Sequence, residues 1–223
     1  MEDDIGGEAT DTGVDPSYNA WLKWNTPVTG LSIGVSAQDY ELYTDLDIVS
    51  PLPLSTFTQD PAHMFTNLET RTPMSLKTYG AQYRVFSQYN FDNLMLAAEY
   101  QRGKVNSKIT VAGNMTMKRQ ENEAWYIMAT YRFCDWFEAG TYYCDTIRDI
   151  NDRDGDSYVA MPQPEEMAWL NDRAISARFD INPFWIFKLE AHFMDGLQYV
   201  DYGNDADPSA HWKLYTAKLT YVF

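Results

Sequence analysis

The sequence predicts an all-β fold, an antiparallel transmembrane β-barrel of which this 223-residue chain supplies about nine strands. Three observations carry that reading. In the last eleven residues, Lys213 to Phe223, one strand face holds Tyr215, Ala217, Leu219, Tyr221 and Phe223, and the other holds Leu214, Thr216, Lys218, Thr220 and Val222. The closing strand of a membrane barrel needs such an apolar row against lipid, whereas a soluble edge strand would leave it bare. Mean hydropathy is -0.45 although 45% of residues are hydrophobic, and no run approaches the roughly 20 apolar residues of a spanning helix. A barrel hides its membrane signal by alternation, and the 16 Tyr, 11 Phe and 7 Trp suit interfacial girdles. Finally, the connections between strands alternate short and long.

From the N-terminus, residues 1–16 read as an acidic external segment and residues 17–223 as a single barrel domain. Strands are expected at about 17–24, 31–42, 78–89, 94–102, 123–133, 137–147, 173–181, 184–194 and 212–223. Each is close to the roughly 9–11 residues that cross a bilayer when tilted. Tight turns fall at Asn25 to Gly30, Asn90 to Asn93, Cys134 to Trp136 and Asn182 to Pro183, and long connections at about 43–77, 103–122, 148–172 and 195–211. Short periplasmic turns and long external loops have this asymmetry, which puts Phe223 at the periplasmic rim.

An odd strand count makes the first and last strands run the same way, and unpaired edges are untenable in hydrocarbon. The expected solution is that the chain is the C-terminal portion of a barrel of about 16–18 strands. A small barrel using eight of the segments, or an odd barrel closed by parallel pairing, is the alternative. Met1-Glu2-Asp3-Asp4 has neither the basic start nor the apolar core of an export signal, which suits a start lying upstream or a signal removed.

Alternation also assigns faces. The apolar rows are Trp125, Ile127, Ala129, Tyr131 and Phe133; Ile175, Ala177, Phe179 and Ile181; and Phe187, Leu189, Ala191 and Phe193. If these meet lipid, the opposite rows line a lumen. That lining is Lys23, Arg84, Glu99, Arg132, Glu138, Arg178, Asp180, Lys188, Glu190, His192 and Lys218. Its cations outnumber its anions although the chain carries a net charge of -15. A wall of Lys and Arg favours anions at a constriction; mutual pairing across strands would instead leave a hydrated, unselective wall.

The acids concentrate in loops, with Asp145, Asp149, Asp152, Asp154 and Asp156 in one and Asp201, Asp205 and Asp207 in another. Such density could bind calcium and bridge to lipopolysaccharide, but counting Gly155 as the sixth position of an EF-hand loop puts Ile150 first and Met161 twelfth, so the stretch reads as a solvated acidic surface. The 43–77 connection is unusually apolar: Leu46, Ile48, Val49, Leu52, Leu54, Phe57, Met64 and Phe65 need burial, and Pro51, Pro53 and Pro61 restrict its path. It is expected to fold into the lumen and narrow it, with a trimer contact or a surface latch as the alternative.

The three histidines, His63, His192 and His211, lack metal-ligand spacing, and no G-x-S-x-G or phosphate loop occurs. No enzymatic activity, cofactor or metal is expected, no disulfide between Cys134 and Cys144, and the acidic balance argues against nucleic acid.

The stretches Glu123 to Tyr143 (EAWYIMATYRFCDWFEAGTYY), Ala174 to Gly196 (AISARFDINPFWIFKLEAHFMDG) and Leu219 to Phe223 resemble the C-terminal half of Gram-negative outer-membrane porins, similar in flavour to the phosphate-selective porin group and its uncharacterised relatives. The resemblance implies an outer-membrane channel for passive diffusion of small hydrophilic solutes, with lipid and lipopolysaccharide around it and a homotrimeric assembly; it does not specify the solute, and the weak anion preference rests on the inward row of Lys and Arg. Tyr221 and Phe223 would be the C-terminal insertion signal for the barrel-assembly machinery. The competing expectation is a small, non-conducting barrel with a structural or adhesive role, whose interior would be filled by packed or mutually paired side chains.

Overall fold

The computed structural model describes residues 6–50, 70–160, 163–200 and 208–223. They form a ten-stranded antiparallel sheet with almost no helix, as the sequence predicts. The strands are β1 (Gly6–Val14), β2 (Tyr18–Asn25), β3 (Leu31–Ser50), β4 (Thr70–Phe91), β5 (Leu94–Val111), β6 (Asn114–Cys134), β7 (Phe137–Ile147), β8 (Trp169–Asn182), β9 (Trp185–Gly196) and β10 (His211–Tyr221). The order across the sheet is β1-β3-β4-β5-β6-β7-β8-β9-β10, and β2 also pairs β3. No helix is long and apolar enough to cross a membrane among the described residues.

All four tight turns fall where expected. At the last one the Asn182 carboxamide oxygen accepts the backbone N–H groups of Phe184 and Trp185 at 2.9 and 3.0 Å, an Asx turn that lets Pro183 follow without a missing donor. Asn182→Ala removes both bonds, and is expected to lower stability by about 1 kcal/mol, read as a lower urea midpoint for folding into lipid vesicles.

The strands run longer than hydrophobic alternation indicates. The connection expected at 103–122 is instead the end of a hairpin: β5 and β6 continue to Val111 and Asn114, joined by Ala112 (φ 48°) and Gly113 (φ 82°). Two successive left-handed residues make the primed turn that matches strand twist. Both ends of 43–77 are strand as well. The lumenal fold expected of Leu52, Leu54, Phe57, Met64 and Phe65, with Pro51, Pro53 and Pro61, falls outside the described residues, as do the side chains of Ile48 and Val49, residues Asp201, Asp205 and Asp207, and His63. Strand β1 adds a tenth strand inside the acidic N-terminal segment. It pairs β3 from Gly6↔Val49 to Val14↔Leu42, with an irregularity between Ala9 and Asp11. Pro16, which has no N–H to give a ladder, separates β1 from β2. The sheet is therefore nine positions wide, and its path still has two ends.

The chain divides into two compact units. One comprises Met1–Tyr18, Asp39–Ala81 and Val105–Arg119. Within it Lys77 pairs with Glu41, and Ala112 N–H donates to the Pro73 carbonyl at 3.1 Å. The other comprises Asn19–Gln38, Gln82–Lys104 and Gln120–Phe223. Here Gly34 is required by close packing, because a Cβ would lie 2.2 Å from the Phe86 ring, which covers the glycine from the next strand.

The small apolar core of this second unit lies mainly in its connections. Tyr158, Ala168, Ala174 and Leu197 are the buried apolar side chains among the described residues. Tyr158 is on the one-turn helix α1 (Asp156–Val159), Ala168 ends a 3-10 turn (Glu165–Ala168), and Leu197 N–H donates to the Glu166 carbonyl at 2.8 Å. Arg148 donates to the Gln198 carbonyl, which ties the 148–168 connection to the segment after β9.

Candidate functional site

The site is built on strands β4 to β10 of the second unit, where cross-strand register decides which side chains meet. Register partners Phe137, Phe179 and Phe187 stand side by side, and so do Ala139, Ala177, Leu189 and Ala217, then Thr141, Ile175, Ala191 and Tyr215. On β6, Ile127, Ala129, Tyr131 and Phe133 continue the same face. Nothing covers it. Ile127 is 54% exposed, Ile175 57% and Phe133 60%, far from the burial that a soluble sandwich would give a row of this composition.

One margin of the face is aromatic. Phe133, Phe137, Phe179 and Phe187 pack in sequence with centroids 5.3–6.3 Å apart, Trp136 joins Phe137 and Phe179, and Tyr221 bridges Trp185 and Phe223. The other margin is a row of register partners, Ile127, Tyr143, Arg173, Phe193 and Lys213. Its two cations lie over aromatic rings, Arg173 5.9 Å from the Tyr143 centroid and Lys213 6.0 Å from that of Phe193. From Arg173 to Ile181 the band spans nine residues of β8, within the roughly 9–11 that cross a bilayer. Beyond it the same face mixes ion pairs with Trp125, Ile147 and Trp169: Tyr100 donates to Glu123 at 2.8 Å, Arg102 and Lys104 pair with Glu121 at 2.7 and 3.2 Å, and Arg153 pairs with Glu123 at 2.5 Å. Hydrogen bonds from Arg102 and then Lys104 hold the Glu121 carboxyl below its ordinary value.

The opposite face carries the charges. Arg132, Glu138, Arg178, Lys188 and Lys218 are successive register partners across five strands. Asp180, the next inward-parity residue after Arg178, accepts from Arg132 at 2.7 Å and from Arg178 at 2.9 Å, and Arg132 also reaches Glu138 at 3.1 Å. The two arginines are thereby neutralised. Lys188 and Lys218 stand directly opposite one another and make no ion pair among the described residues. Arg84 and Glu99 share this face at 3.8 Å, with Arg84 also donating to Gln101 at 2.9 Å. Lys23 on β2 alternates with the exposed Leu22 and Trp24 and has no ion-pair partner among the described residues.

Two rows away from the charged row lies a buried polar cluster in which His192 and Glu190, expected in the lumen lining, meet Tyr142 and Asp172, which the sequence reading does not single out. Tyr142 donates to Asp172, whose Oδ2 is 2.9 Å from His192 Nδ1. Asp172 is 7% exposed and His192 9%. Glu190 Oε2 lies 3.8 Å from His192 Nε2 and accepts from Thr216 at 3.2 Å. Asp172 was hidden because the sequence reads 148–172 as loop, whereas β8 begins at Trp169. Among these pairings of the described residues, the Glu190 carboxylate is the group that stands nearest His192 Nε2, at 3.8 Å. No group of three metal-ligating side chains occurs among the described residues. Two of the loop acids are occupied as acceptors, Asp149 by Asn151 and the Glu121 amide, Asp152 by Ser157. Cys134 and Cys144 are free.

No family model and no curated protein matches the chain. Among solved structures it is similar to OmpTdeltaL8, a loop L8 deletion mutant of OmpT, an outer membrane protein of Vibrio cholerae, at 10% identity and a TM-score of 0.39, over 92% of this chain and 62% of that one. The chain thus spans less than two thirds of that protein's length.

Proposed function

We propose that the chain forms part of the wall of an outer-membrane channel for passive diffusion of small hydrophilic solutes, with a weak preference for anions. The observation that carries this reading is the contrast between the two faces of one sheet. One face is apolar, exposed, about a bilayer's hydrocarbon in span and edged by aromatic rings on one side and cations on the other. The opposite face is a charged row with two lysines left over after the arginines are paired, the chemistry of a water-filled lumen. A Gram-negative outer membrane is the compartment in which such a barrel operates, with Phe223 at its periplasmic rim and Tyr221 and Phe223 as the signal read by the barrel-assembly machinery. Nine sheet positions run alternately, so complete antiparallel closure needs an odd number of further strands, which a longer porin of about 16–18 strands supplies and identical copies inserted the same way do not. A homotrimer of such barrels belongs to the same proposal, as does the absence of catalysis.

Full-length protein purified from its native membrane should migrate faster in SDS before boiling than after it and give stepwise conductance in planar bilayers. A protein that shows heat-modifiable mobility but passes no current would favour the second reading, a non-conducting structural or adhesive barrel. The double pairing of Arg132 to Glu138 and Asp180 supports that alternative, because wall charges that neutralise one another also suit a filled interior.

A further inference from the structure

The charged face is recessed. A pocket of about 380 Å³ lies there between β5 and β9, within the roughly 300–1,000 Å³ of small-molecule sites. Thr130, Gly140, Ser176 and Glu190 are successive register partners across it. Gly140 keeps the floor low: a Cβ there would lie 2.7 Å from Ser176 Oγ and 2.9 Å from Thr130 Cγ2, so both hydroxyl-bearing side chains close over it. Toward β5 the lining is the thioethers of Met95 and Met128, and toward β9 it is Lys188 and Glu190. Two further charged residues line the pocket and are already engaged, Glu138 by Arg132 at 3.1 Å and Arg178 by Asp180 at 2.9 Å. Lys188 is exposed, stands between Arg178 and Lys218 in the register, and makes no ion pair among the described residues. Glu190 is held at one oxygen: Thr216 donates to Oε2 at 3.2 Å, and His192 Nε2, its ring fixed through Nδ1 by Asp172 at 2.9 Å, faces the same atom at 3.8 Å. Oε1 has no hydrogen bond among the described residues. One cation and one carboxylate oxygen are therefore left to a solute, two residues apart on β9 and roughly 7 Å along the strand.

We propose that this recess is a subsite for a zwitterionic α-amino acid with an apolar side chain, its carboxylate held by Lys188, its ammonium by Glu190 and its side chain by Met95 and Met128. The subsite rests on the channel reading above and gives that channel a solute class. A plain anion would meet Lys188 but also the Glu190 charge, and a plain amine the reverse; a solute carrying both groups satisfies both. Unbranched thioethers adapt their shape, which suits apolar side chains of differing outline. Contacts to two charges in water stay weak enough for the solute to leave, as passage requires.

The test uses full-length protein purified from its native membrane and reconstituted in planar bilayers, with L-leucine as the probe. The comparisons are 4-methylpentanoate, which lacks the ammonium, and 3-methylbutylamine, which lacks the carboxylate. Transient interruptions of the single-channel current report occupancy. Leucine should interrupt the wild-type current in a saturable way, with a half-saturating concentration roughly tenfold below that of either comparison, the size of one charge-assisted contact. Glu190→Gln should bring leucine to the level of 4-methylpentanoate and leave 4-methylpentanoate itself no weaker. Lys188→Gln should bring leucine to the level of 3-methylbutylamine and leave that amine no weaker. Ser176→Val, which fills the recess without removing either charge, should weaken all three solutes. Each variant should keep heat-modifiable mobility, the sign of a closed barrel. Leucine no more potent than its two comparisons on the wild type, or undiminished in both charge variants, overturns the subsite and leaves the channel standing. Equal weakening of all three solutes in Glu190→Gln would make that residue a structural group and overturns the subsite too. Wild-type protein that neither conducts nor shows heat-modifiable mobility overturns the channel reading and the subsite with it.

Discussion

Replacing the two facing lysines together, Lys188→Glu with Lys218→Glu, is expected to reverse the ion preference of single channels from anions to cations. The reason is the distribution of pairing along the charged row. Arg132 and Arg178 spend their charge on Glu138 and Asp180 at 2.7–3.1 Å, so the field they project into a lumen is small. Lys188 and Lys218 are opposite one another without a carboxylate, a like-charge arrangement that destabilises a strand pair and leaves both ammonium groups directed into water. Four units of charge change at one level of the wall, and the reversal potential in a salt gradient should change sign. Lys188→Glu alone supplies a partner for Lys218, and should remove the preference while raising stability slightly. Neutralising Asp152 and Asp154 should do little, because the loop lies beyond Ile147 and the charged row is nine residues away along β7, roughly 30 Å at 3.3 Å per residue, several Debye lengths of about 8 Å. If the loop acids moved the reversal potential more than the lysines did, the acidic mouth would be the selective element and the wall would not.

The shift of emphasis from arginine to lysine marks the limit of what the sequence reveals. Alternation over 125–133, 173–181 and 187–193 sorts side chains into two faces, because water on one side and an apolar medium on the other impose different chemistry on odd and even positions. The turns are legible for an equally local reason: Asn182-Pro183, Asp92-Asn93 and Asp135-Trp136 carry residues that bend the chain or bond to it within three positions. Register is not local. That Arg132 meets Glu138 follows from hairpin closure, but its bond to Asp180, 48 residues away, depends on how two successive hairpins align. The ends of β5 and β6 were illegible for the converse reason. Where both faces of a strand meet water, as from Val105 to Arg119, alternation no longer separates apolar from polar, and a strand reads as a loop. Asp172 fell into the same blind zone at the start of β8, and with it the Tyr142 and His192 cluster.

The largest stability effect is expected on the uncovered face. Leu189 lies midway along the apolar band, between Ala177 and Ala217 in the register, and is 42% exposed. In water an arginine at such a position would be tolerated, since surface substitutions away from special features usually change stability by about 0.5 kcal/mol or less. Against lipid the same side chain must carry its charge to an interface or draw water inward, at a cost of about 2–4 kcal/mol near the bilayer midplane. Leu189→Arg should therefore lower the urea midpoint for folding into vesicles by an amount in that range with the slope unchanged, or prevent insertion outright. Thr216→Arg on the opposite face of β10, beside Glu190, provides the control: its side chain enters a polar row and gains a carboxylate, so it should cost less than about 1 kcal/mol. The decisive quantity is the difference between the two variants. Equal costs would mean that both faces meet the same solvent, and the apolar band would then be a protein interface, with the aromatic margin belonging to a partner surface and not to a bilayer.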